Sequence, residues 1–262
     1  MEKDLPHRLE RSVLIQADAR TVFRFFTDNA RWARWWGAGS SIEPRPGGRV
    51  SICYPNGARA SGEVLTIEAP ERLVFSFGYE SGNPIPPGVS CVTIRLEPQP
   101  AGTRLHLAHS FAEAAVRDQH HQGWRFQLSL FANAVAEEAF ANAAAVVDAW
   151  FEAWTVADDA ARRAAFEKIA LPTVRFSDRY GALESVDDVV EHAGATLRFM
   201  PGATLERNGQ IRHCQGSVLA NWASGAGTGT NLFVLAPDGR IAAVVGFQDE
   251  GAREPAAADD GA

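Results

Sequence analysis

Cysteine is scarce in this chain, and its three examples, Cys53, Cys91 and Cys214, are scattered. No pair has disulfide-framework or metal-ligand spacing, which fits small thiols in a reducing compartment. Long apolar runs are missing too. The nearest approach, around residues 132–154, is broken by Glu137, Glu138 and Asp148, so no membrane-spanning helix is expected. The first residues, Met1 to Arg11, are charged and carry no apolar signal region. Basic excess is also lacking, since the net charge is −7. Residues 1–140 hold 15 Lys+Arg against 15 Asp+Glu, and residues 141–262 hold 10 against 17. Neither half has the basic footprint of nucleic-acid or anionic-membrane binding. A cytoplasmic protein with no nucleic-acid or membrane partner is expected.

Several catalytic signatures are absent as well. There is no Gly-x-Ser-x-Gly elbow, dinucleotide fingerprint or glycine-rich phosphate loop. The segment Gly225-Ala-Gly-Thr-Gly-Thr230 leads into a strand pattern and has no following Lys. His106 and His109 differ by an odd number on a strand, so they point to opposite faces. Adjacent His120 and His121 diverge by about 100° if helical. No Cys/His/carboxylate set has ligand spacing, so no metal site and no cofactor are implied.

Alternation dominates the first half. Val50, Ile52 and Tyr54 share one strand face, as do Leu73, Phe75, Phe77 and Tyr79. Val92, Ile94 and Leu96 form a third set, and Leu105, Leu107, His109 and Phe111 a fourth. Pro- and Gly-rich turns separate them, giving an antiparallel meander buried on one side. Asp18 is the expected N-cap of a helix over Ala19–Thr27. Trp124, Leu128, Phe131 and Val135 recur at helical spacing and predict a long helix after the meander. Together these elements make a helix-grip layout, with a helix across a concave sheet and room for a ligand between them.

On Ala17-Asp-Ala-Arg-Thr-Val-Phe23, Trp35-Trp36-Gly37, Arg104 to His109 and His121-Gln-Gly-Trp124, residues 10–140 resemble the homologues of the heat-shock-protein ATPase activator. These belong to the SRPBCC superfamily of START-like folds. The sequence shows no separate chaperone-docking domain, so chaperone activation is not implied. The resemblance places the tryptophan cluster near a cavity mouth. Trp35, Trp36, Phe75, Phe77 and Trp124 are therefore candidate aromatic lining for a lipophilic or planar ligand; packing of short helices onto the sheet would alone explain most of them, and both uses are expected. His109 is either a polar group inside that cavity or a core histidine bonded to a neighbouring element.

A second helical stripe, Val147, Trp150, Phe151 and Trp154, begins after a boundary near Phe140, without a Gly/Pro linker. A further helix is expected to stop at Pro172, followed by a strand over 173–178, a helix near 186–198 and three long strands within 203–248. The last two form a hairpin about Pro237-Asp238-Gly239. With Phe176-Ser-Asp-Arg-Tyr-Gly181 and Arg198-Phe-Met-Pro-Gly202, this hairpin resembles the SnoaL-like branch of the nuclear-transport-factor-two-like superfamily, over about residues 141–249. That resemblance implies a curved sheet closed by helices into a cone with a pocket. Val174, Phe176 and Asp178 alternate onto one face with Tyr180 next in register. In such a pocket Asp178 is a candidate acid/base group with Tyr180 as its supporting donor. His192 is a further catalytic candidate, and Trp154, Trp222 and Asn231 are candidate liners. Equally, Asp178 could cap a strand-end turn through backbone amides.

The expectation is a two-domain α+β protein: a helix-grip (SRPBCC-like) domain over 1–140, a SnoaL-like cone domain over 141–250 and a disordered acidic tail over 251–262. Its leading function is binding a hydrophobic or aromatic small molecule, polyketide-like or lipid-like, in one or both cavities. The alternatives are a cofactor-independent cyclase, isomerase or hydratase in the second domain, and an interaction protein forming a homodimer through the C-terminal domain sheet.

Overall fold

Strand parity organises the first unit. The computed structural model describes residues 5–249, and the expected acidic tail lies outside the described residues. The chain divides into two compact units between Ala139 and Phe140.

The first unit runs β1 (His7–Ile15), α1 (Ala19–Arg24), α2 (Asn29–Trp36), β2 (Ser41–Ile42), β3 (Arg49–Cys53), β4 (Arg59–Glu68), β5 (Arg72–Tyr79), β6 (Ser90–Gln99), β7 (Gly102–Phe111), α3 (Ala114–Gln119) and α4 (His121–Ala139). Its seven strands are ordered β1-β7-β6-β5-β4-β3-β2, every pair antiparallel. The alternating residues of the meander are buried together with Trp124, Leu128, Phe131 and Val135 of α4, so helix and sheet share one core. Asp18 accepts hydrogen bonds from the amides of Arg20 and Thr21, and Asp28 from that of Arg31, which starts α1 and α2 where an oxygen can satisfy free N–H groups. Glu138 of α4 receives Arg24, Arg31 and Arg34, tying both short helices to the long one.

β4 has no counterpart in the sequence expectation. Only Ala60 and Val64 are buried along it, and the pairing with β5 shifts between Val64 and Thr66, which breaks the alternation. Gly62 is needed there because an added Cβ would meet the Ser76 carbonyl oxygen at 1.6 Å.

The second unit comprises α5 (Ala143–Ala153), α6 (Asp159–Ile169), β8 (Ala170–Ser177), β9 (Ala182–Leu183), α7 (Val186–Phe199), β10 (Leu205–Arg207), β11 (Arg212–Cys214), β12 (Ser217–Ser224), β13 (Gly227–Leu235) and β14 (Ile241–Gln248). The sheet order is β10-β12-β13-β14-β8-β9, with β11 also on β12, and β14 runs parallel to β8. Rings from the helices meet one another and the sheet: Trp150 lies 5.2 Å from Phe166 of α6 and 6.1 Å from Phe233 of β13, and Phe151 lies 5.9 Å from Phe233. At the β13–β14 turn Gly239 takes φ 86° and Asp238 accepts from the Arg240 amide. Pro172 does not merely end a helix: α6 stops at Ile169, and Pro172 lies inside β8. There the pairing with β14 skips from Ala170 to Arg175, so the missing N–H breaks no ladder bond.

Candidate functional site

Each unit encloses a cavity of ligand size. That of the second unit holds about 660 Å³ and that of the first about 650 Å³.

In the second unit, the C-cap of α5 supplies Trp154, β8 supplies Phe176, α7 supplies His192, β12 supplies Trp222 and β13 supplies Asn231. Trp154 packs 5.2 Å from Phe176 and 5.9 Å from His192. Gly229 lets Trp222 lie flat across the sheet, because a Cβ there would stand 2.3 Å from its ring. The Trp222 indole N–H donates to Oδ1 of Asn231 at 2.9 Å. An indole can only donate, so the Asn231 amide is oriented and its Nδ2 has no partner among the described residues. Gly246 separates Asn231 from Asp178, and a Cβ added to it would fall 3.2 Å from Asn231 Oδ1 and 3.3 Å from Asp178 Cβ. The cavity floor therefore carries an amide and a carboxylate on either side of a bare backbone.

All six residues expected here, Asp178, Tyr180, His192, Trp154, Trp222 and Asn231, lie on this one cavity wall. Two of them already have partners in the fold. Oδ1 of Asp178 accepts from the amides of Tyr180 (2.7 Å) and Gly181 (2.8 Å), so the carboxylate caps the turn after β8. Tyr180 is 69% exposed and its hydroxyl donates to Gln248 Oε1 at 3.1 Å, so it stands at the rim. Sequence reasoning missed Phe199 (87% exposed), the last residue of α7, and Met200 just after it, as residues of this cavity.

The first cavity is lined by Trp36, Phe77 and Trp124, as expected, and by Tyr54, Tyr79 and His120, which were not singled out for it. Trp35, Phe75 and His109 correct the expectation, because all three lie in the closed core outside the cavity wall. Trp35 meets Trp32 and Phe131 edge to face, and Phe75 meets Trp32 from the sheet side. His109 is fully satisfied: Trp124 Nε1–H donates to its Nδ1 (2.9 Å), and its Nε2 lies 2.8 Å from Ser90 Oγ, whose hydroxyl donates to the Phe77 carbonyl. Burial, with His120 adding repulsion, holds the His109 pKa well below the ordinary value, so the ring is neutral. Burial likewise lowers His120 and raises Tyr54 and Tyr79. Tyr54 and Tyr79 were already on the alternating faces. His120 sits at the α3–α4 junction, where no period marks it.

Two helix-and-sheet folds, each enclosing a mostly apolar cavity, define a two-domain α+β cavity protein. Residues 16–136 match the family model described as Activator of Hsp90 ATPase homolog 1-like protein. Similar solved structures include a structural-genomics protein from Mesorhizobium loti, at 20% identity over 49% of this chain and 96% of that one, with TM-score 0.44. CalU16 from Micromonospora echinospora has 28% identity over 50% and 76% of the two chains, with TM-score 0.40. A SnoaL-like family protein from Agrobacterium tumefaciens has 22% identity over 40% and 96%, with TM-score 0.38. No curated protein matches the chain. Residues 16–136 thus resemble the activator homologues. Among the described residues no single helix is long and apolar enough to cross a membrane.

Proposed function

We propose that this chain binds hydrophobic or aromatic small molecules, with the second unit's cavity as the principal site. The observation that carries this is the Trp222–Asn231 hydrogen bond inside an aromatic cavity of about 660 Å³. It presents one oriented amide donor to an otherwise mostly apolar space, the pattern of a site that orients a ligand carbonyl by a single polar contact. The volume lies within the ~300–1,000 Å³ range of small-molecule sites. Binding is favoured over acid/base turnover because Asp178 already gives one oxygen to two backbone amides and Tyr180 faces solvent.

The test is native mass spectrometry of the purified full chain, with solvent extraction of any adduct. Wild type is expected to carry a small organic molecule, and Gly246→Leu, which fills the floor between Asn231 and Asp178, is expected to lose it. No adduct in wild type, or an adduct kept by Gly246→Leu, would overturn the reading.

A further inference from the structure

Asp178 is the one carboxylate among the described residues that line the second unit's cavity. Its Oδ1 is occupied by the amides of Tyr180 and Gly181. Its Oδ2 has no partner among the described residues, and it is not one of the unpartnered polar atoms shut away from solvent. The carboxylate lacks a counter-ion as well, since the second unit's ion pairs among the described residues leave it out. Arg179, the cation next to it in sequence, lies over the Tyr180 ring instead, 5.4 Å from its centroid.

The sheet turns this group toward the cavity. Asp178 continues the parity of Val174 and Phe176, both buried, and Phe176 pairs with Val244 across the ladder. Two residues further along β14, Gly246 pairs with Asn231, and Gly246, Asn231 and Asp178 all line the cavity. Glycines leave the surroundings of the carboxylate bare. A Cβ on Gly246 would stand 3.3 Å from Asp178 Cβ, and one on Gly181 would stand 3.3 Å from the His192 ring. Neither glycine has a positive φ, so backbone conformation requires glycine at neither position. Glycine inside a strand weakens it and marks a place where another group comes close.

An anion without a counter-ion in mostly apolar surroundings favours a partner of opposite charge that also donates a hydrogen bond. Trp154, Phe176 and Trp222 line the same cavity, and aromatic rings attract a cation that has left water. An anionic ligand would meet like charge there.

We propose that the second unit's cavity selects a lipophilic ligand that carries a protonated amine, held by Asp178 Oδ2, together with the carbonyl group oriented by Asn231. This rests on the reading of that cavity as a ligand site and adds the charge that discriminates among ligands.

Calorimetric titration of the full chain at pH 7 tests it with three acetylnaphthalenes that differ in one substituent far from the acetyl group. The substituents are dimethylaminomethyl, which is cationic, isobutyl, its neutral isostere, and carboxymethyl, which is anionic. Wild type is expected to bind the amine about tenfold tighter than the isobutyl compound, the gain from one charge-assisted hydrogen bond. The carboxylate should bind more weakly than either. Asp178→Asn, whose Oδ1 can still accept from both amides, should bring the amine down to the isobutyl level. Gly246→Leu should lose all three probes. Equal binding of amine and isobutyl compound by wild type, a comparison that needs no variant, would overturn the proposal. So would a preference retained by Asp178→Asn. In either case, binding that Gly246→Leu abolishes would leave the cavity reading standing, and binding of none of the three would sink both.

Discussion

His109 illustrates how little a residue's type says about its task until its neighbours are known. Its strand parity is right for a cavity wall, yet Trp124 and Ser90 occupy both ring nitrogens and turn it into a core connector between β7, β6 and α4. That arrangement has a pH consequence. The folded pKa is depressed by burial, whereas the unfolded ring titrates near its ordinary value of 6.5. The unfolded chain therefore binds a proton that the folded chain refuses as pH falls through about 6.5, so stability is full above that value and lost below it. His120 adds in the same direction. Thermal melts in steps from about pH 7.5 to pH 5 should show the first unit's transition falling, and His109→Gln should flatten part of the slope. An unchanged slope in that variant would count against His109 as the titrating group. Asp178 teaches the same lesson: Val174 and Phe176 set its face correctly, but the turn to Gly181 claims its oxygen.

Elements are held in place by contacts that no periodicity announces. Arg162 of α6 is buried, and it ties α6 to α7 and to the loop that precedes α6. Its guanidinium donates to the carbonyls of Val156 (2.8 Å), Ala157 (3.3 Å) and Val190 (3.2 Å), and it also pairs with Asp159. It passes over Gly194 of α7, where a Cβ would come 2.4 Å from the guanidinium. Arg162→Met should therefore cost about 3 kcal/mol by stranding three carbonyls, and Gly194→Ala about 1–3 kcal/mol by displacing the clamp. Asp159→Asn should change little, since that carboxylate is 82% solvent-accessible. Chemical denaturation reads all three, and a loss below about 1 kcal/mol for Arg162→Met would refute the clamp. The helices and strands that were read from the sequence were legible because their buried sides repeat. β4 was not, because a register shift and two small buried residues leave no repeat to read.

At the scale of the whole molecule, each unit has its own sheet and its own aromatic core, so each is expected to fold alone. Residues 1–139 and 140–262 expressed separately should each give a cooperative melt. If neither fragment does so, the division between Ala139 and Phe140 is not a folding boundary.

Side-chain periodicity alone determined which faces of the regularly patterned helices and strands are buried. That information is local, since a side chain's direction follows from its backbone repeat. The tertiary structure decided which buried side chains face empty space. Phe75 and Phe77 share one strand face, yet Phe75 is closed in by Trp32 while Phe77 borders the first cavity. A cavity is whatever volume a helix, a sheet and a loop fail to fill between them, and no single segment encodes it.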